Sequence, residues 1–273
     1  MASPTQNFTR RLYHVDAAAL TVSTTLAAYA LAIATMYAVA LVIGGGRLET
    51  ALAELVGLGL VPLAVARVHQ IDLAALGVVR PRVGHVIAAA VAGAGLWLIA
   101  LRVAAPIIAL THREREVEAW ASGLFADQSL AATLVALVGI PAVCEELTHR
   151  GLLAAGLARP LGRPLAIAAS TAAFALLHIE PARMAATAVL GAAAGLIAAR
   201  TRSLWPAIAL HATNNLIVAL LSLGYLGPIA RQVERHPDGA LAAAAALAAI
   251  GLLGAGGIPA RARSGRSSGR VQP

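Results

Sequence analysis

The sequence predicts an all-α fold, a polytopic bundle of about eight transmembrane helices. Of its 273 residues, 59% are hydrophobic and only 12% are charged, whereas a soluble domain averages about 25% charged residues. The mean hydropathy is +0.77. Several apolar runs also reach the roughly 20 residues that a helix needs to cross the hydrocarbon core. These observations indicate an integral membrane protein built as one bundle.

In chain order, we expect a polar N-terminal head (1–16), a transmembrane bundle (17–258) and a basic, disordered tail (259–273) rich in serine, glycine and arginine. The predicted spans are 17–43, 51–68, 83–110, 129–159, 164–179, 182–199, 203–225 and 240–257. Pro62 interrupts the second span, which neighbouring helices can accommodate. Residues 71–82 are expected at the interface, and the charged stretch 111–128 is expected to form a solvated extramembrane helix.

The charge pattern indicates lipid as a partner and argues against nucleic acid. All 21 basic residues are arginine and the formal net charge is +8, but the arginines punctuate apolar segments and form no separate basic domain. Most arginines outside the predicted spans lie on the side of the N-terminus. The positive-inside rule therefore predicts that both termini are cytoplasmic, and we expect a bacterial plasma membrane. A single cysteine excludes an intrachain disulfide and a CxxC metal site.

The stretch PAVCEELTHRG (141–151) places two carboxylates and an arginine inside a predicted span. Such groups cost several kcal/mol at bilayer depth unless they are paired or hydrated. Arg150 follows Glu146 by four residues, so the two are expected to form an ion pair along one helix face. Glu145 lies about 100° away on the helical wheel and is left free. A purely structural ion pair with Glu145 as a bystander remains the alternative at this point.

Two later segments supply further polar groups. FALLHIEP contains His178, with Phe174 one turn earlier as a candidate pocket wall. HATNN contains His211 and Asn215 on one helix face, with Asn214 expected to point elsewhere. Each has a structural alternative, because a lone histidine is often a packed core residue and polar groups in membrane helices often bridge neighbouring helices by hydrogen bonds.

Depth along the predicted helices argues for one shared site. At a rise of about 1.5 Å per residue, Glu145, His178 and Asn215 lie about 18 to 22 Å from loops on the same side, and His211 lies about 12 Å from its loop. A glutamate in a dehydrated site can act as general base on water. Two imidazoles and a carboxylate are also the ligands of an open catalytic zinc site, so Glu145, His178 and His211 are candidate ligands for a divalent metal such as zinc. Both readings predict hydrolysis, and a peptide bond is the expected substrate.

The three motifs, in this order, resemble those of the CPBP family of intramembrane proteases (CAAX proteases and bacteriocin-processing or Abi proteins), related to the type II CAAX prenyl endopeptidases. They are Glu145-Glu146-x-x-x-Arg150, Phe174-x-x-x-His178 and His211-x-x-x-Asn215. The resemblance covers about residues 129–220.

The resemblance implies that Glu145 activates water, that His178, His211 and Asn215 complete the site or hold the oxyanion, and that Glu146 and Arg150 complete the first motif. It implies a membrane-anchored peptide or protein substrate, prenylated or CAAX-like, and leaves the need for a metal open. His149 departs from the family, which usually has an aromatic residue there. Because it lies one turn after Glu145, it could influence that carboxyl group.

The sequence leaves three other interpretations. A non-catalytic immunity or scaffold protein would bind a membrane peptide and leave the site unused. A transporter could use Glu145 and the histidines as a proton relay, although we found no inverted repeat in the sequence. A cysteine protease could use Cys144, but a cysteine beside two carboxylates is a poor nucleophile.

Overall fold

The computed structural model describes residues 20–44, 46–112, 115 and 129–256, and every regular element among them is helical. The helices are α1 (Val22–Ile43), α2 (Arg47–Val68), α3 (Val83–Thr111), α4 (Leu130–Leu161), α5 (Arg163–Leu176), α6 (Pro181–Thr201), α7 (Leu204–Ser222), α8 (Gly227–Arg235) and α9 (Pro237–Gly256). Seven of them are long and apolar enough to cross a membrane. The predicted all-α transmembrane bundle is therefore confirmed.

The predicted fifth span differs from the others because α5 has only 14 residues. A crossing needs about 20 residues, so α5 is too short to span a bilayer as a straight helix. The chain reverses after it: Ile179 is left-handed (φ 57°), and the Glu180 carboxylate caps α6 by accepting from the N–H groups of Ala182 and Arg183. The predicted turn at Glu180-Pro181 is thus present. The predicted head (1–16), tail (259–273) and nearly all of the charged stretch 111–128 lie outside the described residues.

Helix α3 packs against α6, α7 and α9 through small residues. A Cβ atom on Gly93 would collide with the backbone of Leu210 on α7, and one on Gly95 with the backbone of Ala244 on α9. Close approach of this kind lets membrane helices associate by van der Waals contact, since lipid supplies no hydrophobic drive. The largest buried cluster lies here and reaches Phe174 on α5.

Helix α4 carries the PAVCEELTHRG stretch and contacts α1, α2, α5, α6 and α7. Its sequence suggested a regular α-helix throughout. In the structure, however, Val135–Gly139 and Leu147–Ala154 are wound as π-helix. Segments of π-helix are rare and occur frequently at functional sites. Glu145 and Glu146 end the short α-helical piece between the two wide segments.

Two of the π-helical segments are followed within two residues by a proline. Leu55–Leu60 on α2 comes before Pro62, and Val135–Gly139 on α4 comes before Pro141. Proline has no N–H and its ring clashes with the carbonyl four residues earlier, which is that of Leu58 and Leu137 respectively. The helix widens at both places, and each carbonyl accepts a hydrogen bond from another helix.

On α2 that donor is the Thr148 hydroxyl, which donates to Leu58 O from α4. Thr148 is fully buried, so the bond replaces the missing backbone donor where water cannot. The prediction that neighbouring helices accommodate Pro62 is therefore confirmed.

Candidate active site

Glu146 is the centre of a buried charge network. Arg150 Nη1 donates to Glu146 Oε1 over 2.9 Å, as the i,i+4 spacing predicted, and both side chains are almost completely buried. The guanidinium also donates through Nη2 to the Gly191 carbonyl on α6 and lies 4.7 Å from the centroid of the Phe174 ring. The pair therefore connects α4 to α5 and α6.

His211 on α7 lies between the two glutamates. Its Nδ1 is 3.0 Å from Glu146 Oε1, and its Nε2 is 3.5 Å from Glu145 Oε2. Because the Glu146 carboxylate is paired with Arg150 and accepts hydrogen bonds, Nδ1 of His211 carries a proton. Nε2 of His211 then faces the Glu145 carboxyl group. The predicted convergence of α4 and α7 is present.

His178 lies beside this network and, among the described residues, makes no hydrogen bond to it. Its Nδ1 is 3.1 Å from the Phe174 carbonyl, which can only accept, so Nδ1 is protonated and Nε2 is an acceptor. Its ring packs edge-on against the Phe174 ring, with centroids 5.2 Å apart. Phe174 makes the same kind of contact with His211 at 5.8 Å. The predicted pocket wall thus joins the two histidines.

His149 has both ring nitrogens engaged elsewhere. Nδ1 is 2.8 Å from the Glu145 backbone carbonyl, and Nε2 is 3.3 Å from the Tyr29 hydroxyl on α1. A carbonyl only accepts, so Nδ1 donates and Nε2 accepts from the tyrosine. Its ring also packs against Phe174, 5.1 Å between centroids. His149 therefore has the contacts of a buried packing residue and directs neither nitrogen at the Glu145 carboxyl group.

Asn215 is oriented by a chain of hydrogen bonds. Asn214 Nδ2 donates to Asn215 Oδ1 over 3.2 Å, and Asn215 Nδ2 donates to Leu137 O over 3.1 Å. The Leu137 carbonyl is the one that lacks a helical donor, because Pro141 has no N–H. Contrary to the expectation that Asn214 points elsewhere, its amide fixes the orientation of Asn215. One of the two Nδ2 hydrogens of Asn215 satisfies Leu137, which leaves the second for a ligand.

Three neighbours of the site were not predicted from the sequence. Glu54 on α2 and Arg183 on α6 lie within electrostatic reach of Glu145, and Tyr29 contacts His149. Glu54 could have been found, because an ionisable residue inside an apolar span is itself a functional signal. Tyr29 and Arg183 carried no such signal, since neither stands out from its apolar or interfacial surroundings.

Cys144 is buried and packs in a small cluster with Ala32 and Leu58. A Cβ atom on Gly59 would lie 2.9 Å from its sulfur, so α2 and α4 are in close contact at this point. These contacts favour a packing role and give no support to the cysteine-protease alternative.

The predicted metal ligands do not form a ready-made set. Among the described residues, no group of three or more histidine, cysteine, aspartate or glutamate side chains is arranged to hold a metal ion. Glu145 and His211 face each other, but His178 contacts the site through Phe174. Metal binding by Glu145, His178 and His211 stays a prediction.

The geometry combines a carboxyl group facing a histidine nitrogen (Glu145 with His211), a second histidine nearby (His178) and an oriented amide donor (Asn215). Groups of these kinds can move a proton from water and stabilise a developing oxyanion. Their setting inside a helical membrane bundle limits the substrates to those that reach a site within the bundle.

Comparison with known proteins gives one match. Residues 127–217 match the family described as Rce1-like, the type II CAAX prenyl endopeptidases. All six predicted site residues fall in this segment, so the resemblance inferred from the three motifs is confirmed. No curated protein and no solved structure matches the chain.

Proposed function

Because residues 127–217 match the model of the Rce1-like family of type II CAAX prenyl endopeptidases, we propose that this protein is an intramembrane endopeptidase in which Glu145 activates the attacking water. The observation that carries the proposal is the position of the Glu145 carboxyl group. It is almost completely buried among the membrane helices, and its Oε2 lies 3.5 Å from His211 Nε2. A buried carboxyl group beside a histidine nitrogen is suited to proton transfer.

In the proposed reaction, Glu145 accepts a proton from water as the water oxygen attacks the peptide carbonyl carbon. His178 Nε2, left as an acceptor by the bond from Nδ1 to Phe174 O, takes the hydrogen bond from the second hydrogen of the water. When the C–N bond breaks, the proton held by Glu145 passes to the leaving amine. His211 keeps the Glu145 carboxyl group in place and can share its proton between these steps.

Asn215 is the proposed donor to the oxyanion. Its orientation is set by Asn214 and Leu137, and its second Nδ2 hydrogen remains for the substrate. A fixed amide donor of this kind stabilises the charge that develops on the carbonyl oxygen, and the loss of one such donor costs about 10²- to 10³-fold in kcat.

The proposed substrate is a membrane-anchored peptide or protein, with a prenylated or CAAX-like chain as the family expectation. Seven helices fit a bilayer environment, and a substrate held in the same membrane reaches a buried site by lateral diffusion. The orientation with both termini cytoplasmic and the bacterial plasma membrane remain part of this proposal.

The test is comparative proteomics of membrane peptides in cells that express the wild-type protein, Glu145→Gln or Glu234→Gln. Glu234 is an exposed carboxylate on α8, so its replacement is a matched control for the loss of a carboxyl group. We expect products with wild type and Glu234→Gln, and intact substrate with a folded, inserted Glu145→Gln. Undiminished cleavage by Glu145→Gln would refute the proposal. Equal recovery of one uncleaved partner by wild type and mutant would favour a scaffold protein.

A further inference from the structure

A cavity of about 580 Å³ lies where the starts of α5 and α7, the end of α6 and the loop before α3 come together. Its walls are small apolar side chains such as Ala154, Ala158 and Ala198. The volume lies within the roughly 300 to 1,000 Å³ of ordinary ligand pockets. It is therefore large enough for more than an inorganic ion.

The charges around the cavity all have one sign. Four arginines line it, namely Arg80, Arg150, Arg163 and Arg202, and none of its lining residues is acidic. Arg80, Arg163 and Arg202 are exposed and lie at or next to helix ends. Basic pockets between the ends of membrane helices are a kind of site that binds anionic lipid headgroups.

The innermost arginine adds an independent observation. The Arg150 side chain is 1% exposed, and its Nε is a buried donor without a hydrogen-bond partner among the described residues. A buried, unsatisfied donor on a charged group is costly, and an anion that entered the cavity would approach it. The cavity thus has a basic rim and a lining residue, Arg150, whose buried Nε has no hydrogen-bond partner among the described residues.

The cavity is separate from the site built around Glu145. Neither glutamate lines it, nor do His178, His211 and Asn215. Arg150 is its sole link to the active-site network, because the same side chain holds Glu146. A substrate bound for cleavage would contact Glu145, so the cavity can hold a second ligand of its own.

We propose that the cavity binds the phosphate-bearing headgroup of an anionic membrane lipid, with Arg80 and Arg163 on the phosphate and part of the lipid chain against the alanine walls. The sign of the charges selects an anion. The apolar walls and the position at the helix ends select one that is already attached to the membrane. This binding site does not depend on the proposed proteolysis.

The test compares lipid retention by the full-length protein and its variants. Wild type, Arg80→Gln, Arg163→Gln and the control Arg67→Gln are reconstituted in phosphatidylcholine vesicles with or without phosphatidylglycerol, then extracted and analysed by native mass spectrometry. Arg67 is exposed like the rim arginines but does not line the cavity. We expect wild type and Arg67→Gln to retain phosphatidylglycerol, and each rim variant to retain it about fivefold less, as expected for one basic residue near an anionic headgroup.

Two further arms complete the test. Ala199→Phe fills the cavity from α6 and should also lose the lipid, with melting temperature as the control for folding. Inorganic phosphate is added to lipid-free protein to distinguish a free anion from a headgroup. Equal retention by wild type and both rim variants would overturn the proposal. Saturable binding of inorganic phosphate that prevents phosphatidylglycerol retention would overturn the assignment to a lipid.

Discussion

Nδ1 of His211 lies 3.0 Å from Oε1 of Glu146, the same oxygen that accepts the hydrogen bond of Arg150. The second glutamate of the motif therefore orients the histidine and sets its tautomer, which turns Nε2 towards Glu145. The two adjacent carboxyl groups thus differ in their environments. Glu146 is paired with the Arg150 guanidinium, whereas Glu145 faces Nε2 of the His211 ring. This difference underlies the first prediction.

Replacement of Glu146 by glutamine is expected to destabilise the protein. It leaves the Arg150 charge buried without its partner, and breaking a buried pair costs about 3 to 5 kcal/mol. A denaturant titration of the purified protein in detergent measures the change in the free energy of unfolding. Activity should also fall, because His211 loses the acceptor that holds it.

The double variant Glu146→Leu with Arg150→Met separates the two effects. Removing both charges should recover much of the lost stability, since apolar replacement of a buried pair is often neutral. Activity should stay low because His211 remains without its anchor. Unchanged stability in the single variant, or full activity in the double variant, would contradict this account.

Replacement of Cys144 by alanine tests the cysteine-protease alternative. The sulfur packs between α2 and α4 and has no place in the proposed reaction, so we expect cleavage to persist at close to the wild-type rate. Deleting a buried sulfur leaves a small cavity, and a modest loss of stability of about 1 kcal/mol is expected. Rates are to be compared at a temperature where both proteins are folded. Abolished cleavage by folded Cys144→Ala would assign the nucleophile to this thiol.

The helical architecture and the meeting of the three motifs could be predicted from the sequence, because they rest on local patterns. Apolar run length predicts spans, and i,i+4 spacing predicted the pairing of Glu146 with Arg150. The position of both motifs inside predicted spans, measured from loops on the same side, predicted the approach of Glu145 to His211. The length of α5 was overestimated, because the left-handed turn at Ile179 ends the helix in an apolar stretch that looks continuous in the sequence.

The finer arrangement of the site depends on contacts between helices that no local pattern encodes. The roles of Glu145 and Glu146 relative to His211 follow from how α7 packs on α4. Likewise, the sequence predicts that His149 influences Glu145 because it lies one turn away. In the structure, Nε2 of His149 instead hydrogen-bonds with the Tyr29 hydroxyl on α1. The proline positions were visible in the sequence, whereas the side chains that replace their missing N–H groups were not.

Replacement of Thr148 by valine tests whether the hydrogen bond to the Leu58 carbonyl contributes to stability without contributing to catalysis. The variant leaves a buried carbonyl unsatisfied, at a cost of about 1 to 3 kcal/mol. Adding Pro62→Ala supplies an N–H that can donate to Leu58 and should restore stability. Cleavage activity should be close to wild type throughout, because Thr148 contacts none of the proposed reacting groups. Equal stability of Thr148→Val and wild type would show that the bond contributes nothing.

Asn215 offers the corresponding test with a different expected outcome. Asn215→Ala removes the donor to Leu137 and should cost about 1 to 3 kcal/mol in stability. It also removes the proposed oxyanion donor, so kcat should fall about 10²- to 10³-fold. Melting temperature and single-turnover cleavage, measured on the same preparations, report the two losses separately.

The double variant Asn215→Ala with Pro141→Ala then separates the effect of Asn215 on stability from its effect on catalysis. Alanine at position 141 restores the N–H that Leu137 lacks, so stability should return as it does for Thr148→Val with Pro62→Ala. Activity should not return, because no backbone N–H can replace the second hydrogen of the Asn215 amide at the substrate. Recovery of both stability and cleavage in this double variant would mean that Asn215 only satisfies Leu137, and the oxyanion donor would have to be sought elsewhere.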